Sequence, residues 1–288
     1  MKGILYVVAS PIGNLEDITE RALKTLKTAD MIAAEDTRHT LKLLNHYGIK
    51  KKLVSYWSGR EKLKAEEITE RLAQGLSVAL VSDAGTPGIS DPGRELVRLA
   101  VEEGVEVVAV PGPSAFVAAL SISGLDTREF TFIGFLPAKK AERMKKLGAL
   151  ALEERTLVFY EAPHRLLETL AGMKEAFGAD RKAVVVKEIT KIHEEAIRGE
   201  LEGVLDLIGG KPVAGEYVIM VSGRAKAAAQ KQKQKSVPEA LSEMRDLMRK
   251  GFGRKEAAKK VAAGYGIAAN ELYRLSLEET GNEEPGGI

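Results

Sequence analysis

The 288-residue sequence predicts an α/β protein: a mostly parallel sheet, then a second α/β set, then a small all-helical tail. Three observations predict it. In the first third of the chain, short β-branched apolar runs alternate with segments of helical apolar spacing, the pattern of a parallel sheet covered by helices on both faces. A second strand–helix series starts after the rigid break Pro111-Gly112-Pro113. Beyond it, the low-complexity stretch AKAAAQKQKQK (Ala225–Lys235) leads into a run with helical periodicity only.

The elements follow in order. Ile4–Ala9, Met31–Ala34, Leu53–Tyr56, Val78–Val81 and Val105–Val110 read as strands, being short, β-branched and bounded by turn residues. Asp17–Leu26, Leu41–Tyr47, Lys62–Gln74 and Arg94–Glu103 are the helices between them, and Ser114–Ser121 is a small-residue helix after the Pro-Gly-Pro break. The second series offers Phe130–Phe135, Leu157–Tyr160, Ala183–Val186 and Tyr217–Val221 as strands, with helices at Ala141–Leu152 and Leu166–Phe177. Val237–Lys250 and Lys255–Leu277 complete the helical tail. The organisation expected is an α/β domain over 1–113, a second over 114–224, a basic linker or frayed helix over 225–235, and a helical tail over 236–280.

Within the tail, Ala257, Ala258, Val261 and Ala262 form a short apolar face, Gly264-Tyr265-Gly266 interrupts it, and Asn270 is placed to start a helix before Leu272 and Leu275. An alanine-rich helix, a glycine turn and a second helix make a helix-turn-helix pattern. Basic residues gather just upstream and within it, among them Arg245, Arg249, Lys250, Arg254, Lys255, Lys259 and Lys260. A second group, Lys139, Lys140, Arg143, Lys145 and Lys146, follows Pro137. Both groups suit a phosphate backbone, although the net charge is only +2.

Several classes are excluded or disfavoured. The chain has no cysteine, so disulfides and thiolate metal sites are impossible. The apolar run at Ile4 is cut short by Pro11 and Gly13, which suits a buried strand better than a leader peptide. No apolar stretch is long enough for a bilayer, and the expectation is a cytoplasmic, soluble protein without membrane contact. The four histidines, His39, His46, His164 and His193, lack zinc-ligand spacing. The glycine fingerprints of nucleoside triphosphate and dinucleotide sites are missing, as is the nucleophile elbow of serine hydrolases.

Chemistry is expected at the strand exits, where open α/β sheets hold ligands. Ser10-Pro11-Ile12-Gly13-Asn14-Leu15 is the first exit, and Pro111-Gly112-Pro113-Ser114-Ala115 the fifth. The fourth, SDAGTPGISDPG (Ser82–Gly93), packs three glycines and two prolines into one loop. Such a loop fixes an unusual backbone path and leaves amides free to meet a ligand.

LYVVASPIGNLEDIT (Leu5–Thr19), AEDTRHT (Ala34–Thr40), SDAGTPGISDPG, PGPSA (Pro111–Ala115), FIGFLP (Phe132–Pro137), FYEAPHR (Phe159–Arg165) and KEITKIHEE (Lys187–Glu195) occur in one order. Together they resemble the bacterial ribosomal RNA cytidine 2′-O-methyltransferases, a branch of the tetrapyrrole methylase superfamily. The resemblance spans Leu5 to about Ser222, and the tail is similar to that branch's C-terminal helix-turn-helix piece. It implies the two-domain class III methyltransferase fold, with S-adenosylmethionine between the domains and a homodimer in solution. The implied substrate is a cytidine ribose in the decoding region of 16S ribosomal RNA, within the small ribosomal subunit. By the same resemblance the cofactor contacts fall on Pro11, on Gly85, Thr86, Pro87, Gly88, Ile89 and Ser90, on Ser114 and Ala115, and near Tyr160 and Gly215. No metal is implied.

A 2′-hydroxyl is a poor nucleophile, so a general base would help in-line transfer from a sulfonium. Asp36, His164 and Lys187 are candidates, and Arg38 and Arg165 suit phosphate or ribose contacts. Each has a structural alternative: a cap and ion pair for Asp36 and Arg38, a satisfied structural histidine for His164, a strand-edge lysine for Lys187. Two other functions stay open. One is a tetrapyrrole-precursor methylase on the same fold, which would need neither basic linker nor helix-turn-helix. The other is a regulatory nucleic-acid-binding protein that senses the cofactor without turnover.

Overall fold

The computed structural model describes residues 2–57, 59, 61–224, 226–265 and 267–281, with the backbone alone at 226–236, 263, 264 and 279–281. These residues form two compact units, one of residues 1–151 and 155–222, the other of 152–154 and 223–288.

The first sheet is fully parallel. Its strands are β1 (Ile4–Val8), β2 (Met31–Ala34), β3 (Lys52–Ser55), β4 (Val78–Val81) and β5 (Glu106–Val110), in the order β3-β2-β4-β1-β5. Strand β2 (MIAA) and strand β4 (VALV) are buried at every position, which is why their sequences are continuously apolar rather than alternating. Successive residues nevertheless serve opposite cores. Leu5, Met31, Ala33, Val78 and Leu80 pack against α3 (Glu61–Ala73) and α4 (Arg94–Glu102) through Ala65, Ile68, Leu72, Leu96 and Ala100. Val8, Ile32, Ala34, Ala79 and Val81 pack on the other face with Ala22 and Leu26 of α1 (Glu20–Thr28) and Leu44 of α2 (Thr37–His46).

The order of strands positions the site. From β1 the chain leaves toward β2, and from β4 it leaves toward β5 in the opposite sense, so the exits of adjacent strands β1 and β4 part. That divergence is the topological switch point at which open sheets hold ligands. The two exits are tied together by a backbone pair between Ser10 and Gly85, N···O 2.9 and 3.0 Å.

Helix α5 (Ala115–Ser123) leads to the second sheet, which is mixed: β6 (Phe130–Phe135), β7 (Thr156–Glu161), β8 (Lys182–Lys187), β9 (Glu195–Glu200) and β10 (Tyr217–Val221), ordered β6-β7-β10-β8-β9. Only β6 and β7 run parallel; β10 is antiparallel to β7 and β8, and β9 to β8. One face packs on α6 (Lys140–Leu150), α7 (Leu166–Phe177) and α8 (Leu201–Gly209) through Leu147, Leu170, Met173, Val204 and Ile208. The other packs on Ala119 and Leu120 of α5.

The first helix differs from what its periodicity suggests. The segment Asp17–Leu26 is a 3-10 turn at Leu15–Asp17 followed by α1, because Asn14 and Thr19 each cap a start with a side-chain oxygen. Strand β9 and helix α8 are additional elements.

The second unit contains α9 (Lys226–Arg249), α10 (Arg254–Tyr265) and α11 (Ala269–Gly281). Residues 226–235 are thus the first turns of a helix, with Pro238 inside it. Ala240, Leu241 and Met244 pack with Ala257, Ala258, Val261 and Ala262, and with Ile267 and Leu272, to form this unit's own core. Asn270 is the second residue of α11 rather than its cap. Among the described residues no helix is long and apolar enough to cross a membrane, and no three histidine, aspartate or glutamate side chains converge as for a metal ion.

Candidate active site

Two cavities open beside each other where the β1 and β4 exits part. The first, about 310 Å³, has Ile12, Ala84, Gly85, Thr86, Ile89, Ser90 and Asp91 from those exits on one side. Ser114 and Ala115 at the start of α5 close it, and Phe135, Tyr160, Glu161, Val186, Ile189 and residues 215–218 of the second sheet form the far side. The second, about 270 Å³, is lined by Ser10, Pro11, Gly13, Leu15, His39, Thr40, Lys42, Leu43, Ser82 and Asp83. Consecutive residues face different cavities: Pro11 and Gly13 the second, Ile12 the first; Asp83 the second, Ala84 the first.

The loops owe their path to glycine. Gly85, Gly88 and Gly215 have φ of 75°, 81° and 93°, in the left-handed region where a side chain is disfavoured. At Gly215 a Cβ would also lie 2.5 Å from Oε1 of Glu188. Ser90 holds φ 68° without being glycine, a strained conformation of the kind found at ligand loops. An aromatic cluster backs the far wall. Phe132 meets Tyr160 edge-on at 5.1 Å and stacks on Phe116 at 4.5 Å, and the Tyr160 hydroxyl accepts from the Phe116 N–H at 3.3 Å. Burial, then the nearby Asp91 charge, raises the Tyr160 phenol pKa.

Carboxylates gather at the exits of β2 and β4. The Asp83 N–H donates to Glu35 at 3.3 Å and the Asp36 N–H donates to Asp83 Oδ1 at 3.1 Å. Burial first, then the charges of Asp83 and Asp36, pushes Glu35 up. Asp91 is pushed up to about 6, by burial first and then by the Glu35 and Asp83 charges.

The sequence-derived site residues divide. Gly85, Thr86, Ile89, Ser90, Ser114, Ala115, Tyr160 and Gly215 line the first cavity together. Pro11 lines the second. Pro87 and Gly88 line neither; the Gly88 N–H is spent on the Pro92 carbonyl at 3.3 Å, so they shape the loop from inside.

The candidates for base and phosphate contact fare differently. Asp36 caps α2, accepting from the Arg38 N–H at 2.8 Å and pairing with its guanidinium at 2.9 Å. Those bonds hold the carboxyl at about 2, which makes it a weak base. His164 and Lys187 line neither cavity. Arg165 is largely buried: its guanidinium donates to the carbonyls of Leu136 and Pro137 at 2.8 and 3.1 Å and lies 3.4 Å from the buried Glu161. Its described partners are thus two carbonyls and a carboxylate of the fold. Arg143 is likewise removed from any basic track, being 1% exposed, bonded to the Ala138 carbonyl and paired with Glu168 at 2.5 Å. Lys139, Lys140, Lys145 and Lys146 remain exposed.

Sequence reasoning did not single out Asp91, Asp83 and His39, which line the cavities, or Glu35, which accepts from the Asp83 N–H. Asp91 stood within the glycine-rich loop, but nothing local marks a loop aspartate that a second carboxylate from another strand will face. The motif Lys187–Glu195 was marked as a segment, but not its Ile189, which reaches the first cavity, or its Thr190, whose hydroxyl donates to Asp17.

Known proteins share this architecture and much of the sequence. Residues 4–205 match the family described as Tetrapyrrole (Corrin/Porphyrin) Methylases. A protein of Synechocystis sp. named ribosomal RNA small subunit methyltransferase I is 45% identical over 276 residues, covering 96% of this chain and 98% of its own. Those of the same name from Xylella fastidiosa and Bacillus subtilis are 51% identical over 231 residues, covering 80% and 85%, and 43% identical over 272, covering 94% and 93%. Among solved structures, the methyltransferase CobJ superposes with a TM-score of 0.58 at 20% identity, covering 78% of this chain and 95% of its own. A uroporphyrin-III C-methyl transferase of Thermus thermophilus, complexed with S-adenyl homocysteine, gives 0.55 at 21% identity, covering 76% and 97%.

Proposed function

The chain belongs to the tetrapyrrole methylase family, among relatives named ribosomal RNA small subunit methyltransferase I, and from that premise we propose that it methylates ribosomal RNA. The donor is S-adenosylmethionine, and the acceptor is a cytidine 2′-hydroxyl in the decoding region of the 16S RNA. The observation that carries the reading is the pair of adjoining cavities at the switch point, one suited to the donor and one to an acceptor nucleotide.

The residues of the first cavity fit the donor. Small groups at Gly85, Ser114, Ala115 and Gly215 leave room for a flat heterocycle, and Ile12, Ile89 and Val186 give it apolar walls. Thr86, Ser90 and the loop amides offer hydrogen bonds for a ribose and an amino-acid head. When bound, the donor supplies a sulfonium methyl that is already electrophilic.

The remaining work is positioning. The Ser10–Gly85 backbone pair fixes the two exit loops against each other, so the floor between the cavities is rigid. The second cavity presents Ser10, His39, Thr40, Lys42 and Asp83, a mixed polar lining for a ribose and a pyrimidine rather than for a wide tetrapyrrole. Holding the hydroxyl on the methyl–sulfur axis converts a bimolecular step into an effectively intramolecular one.

Incubation with methyl-labelled S-adenosylmethionine tests the reading, with small subunits lacking the modification and a tetrapyrrole precursor as parallel acceptors. Label in the RNA alone is expected. Label on the tetrapyrrole alone would keep the fold and overturn the function.

A further inference from the structure

We infer that the surface formed by α1 and α2 is where the RNA strand flanking the acceptor nucleotide lies, its phosphates against Arg21, Lys24, Lys27 and Lys42. The inference rests on the methyltransferase reading above and adds where the RNA is held.

The two faces of the first sheet differ in charge. On one face, α3 and α4 hold five lysines and arginines against six glutamates. On the other, α1 and α2 hold the same number of cations against one acid, Glu20, with His39 and His46 besides. Their pairing differs as well. Lys64, Arg71 and Arg98 are tied to glutamates of their own helices at 2.5, 2.7 and 2.5 Å. On α1 and α2 only Arg38 is paired, with Asp36. Arg21, Lys24, Lys27 and Lys42 are exposed and have no acidic partner among the described residues. Of the acids nearby, Asp17 accepts from the Thr190 hydroxyl, and Asp30 from the Ser77 hydroxyl and N–H at 2.6 and 2.7 Å. Glu16 and Glu20 are left to oppose the cations. Arg21, Lys24 and Lys27 recur every three residues along one flank of α1, a spacing at which like charges repel until a polyanion meets them.

This surface is continuous with the second cavity. Helix α2 lends His39 and Lys42 to the cavity lining, and α1 begins just beyond the β1 exit, whose Ser10, Pro11, Gly13 and Leu15 also line it. The Tyr47 hydroxyl donates to the Leu15 carbonyl at 2.6 Å, and Leu26 and Leu44 share one core, so the helices and the exit loop are held together. A nucleotide splayed from a single strand into a pocket leaves its backbone on the surface around that pocket. Here that surface is α2 with α1 beside it.

The test replaces Arg21, Lys24 and Lys27 together by glutamine, a residue of similar helix propensity to lysine and arginine, in the full chain. A control replaces Lys62, Lys64 and Arg98 on the opposite face by glutamine, and a charge-conserving variant carries Lys24→Arg and Lys27→Arg. Transfer to small subunits lacking the modification gives KM and kcat, and binding to naked small-subunit RNA is followed against salt. The α1 triple variant is expected to raise KM about tenfold or more at about 0.1 M salt and to flatten the log affinity–log salt slope by about 2. Its kcat at saturation and its affinity for S-adenosylmethionine should be those of the wild type, as should all properties of the charge-conserving variant. An unchanged KM and slope overturns the inference, and so does an equal loss in the opposite-face control. A raised KM on subunits with unchanged binding to naked RNA assigns the surface to a ribosomal protein and overturns it too. Wild-type protein that transfers nothing to RNA overturns the function reading itself, a result distinct from an active wild type whose α1 variant keeps its KM.

Discussion

At the scale of single residues, the same type of side chain ends in opposite roles according to its partners. Asp36 and Asp91 both sit at exits of the first sheet. The Arg38 side chain and N–H hold one near 2, while burial and two carboxylates lift the other to about 6. A carboxyl that is harder to ionise in the folded state than the unfolded value of about 3.9 weakens the fold as pH rises. Its stabilising contribution is full below about 4 and is lost as pH rises through about 6. Asp91→Asn is therefore expected to be more stable than the wild type at pH 8 and not at pH 4, by on the order of 1 kcal/mol after solvent screening. Urea unfolding at the two pH values checks it; a variant no more stable than the wild type at pH 8 would contradict the raised Asp91 carboxyl. The sequence made the glycine-rich loop legible because glycine and proline leave few backbone choices. It did not reveal Arg143 or Arg165, since a basic residue in an amphipathic run reads as exposed. Burial against carbonyls and a distant glutamate is a tertiary fact.

At the scale of elements, periodicity located the strands of the first sheet because each of its central strands is buried on both faces. Strand β9 escaped because EAIRGE is an edge strand whose charges keep neighbours off. Helix ends were set by caps the pattern does not encode. One of them matters to the site. Glu61 of α3 accepts from the Gly93 and Glu95 N–H groups at 3.0 and 3.4 Å, capping α4 from a different helix, and its Oε1 also meets the Tyr56 hydroxyl. Since α4 starts where the Ser82–Gly93 loop ends, Glu61→Ala is expected to cost about 1–2 kcal/mol and to weaken binding of S-adenosylmethionine. Thermal unfolding and calorimetry would show whether both losses occur together.

At the scale of the whole molecule, function needs a site and a means of holding RNA. The second unit carries Arg249, Lys250, Lys255 and Lys259 as exposed cations around its own small core. If they meet phosphates, reversing all four to glutamate lowers RNA affinity and flattens its dependence on log salt, by about 0.7–0.9 for each phosphate no longer neutralised. Binding of S-adenosylmethionine should be untouched, and an unchanged salt slope would assign RNA contact elsewhere. The central claim, transfer to a cytidine ribose across the partition between two cavities, is tested most directly by nucleoside analysis of the RNA product. Digested RNA from modified small subunits is expected to contain the label as 2′-O-methylcytidine. Label on a base, or on any other nucleoside, would contradict that claim.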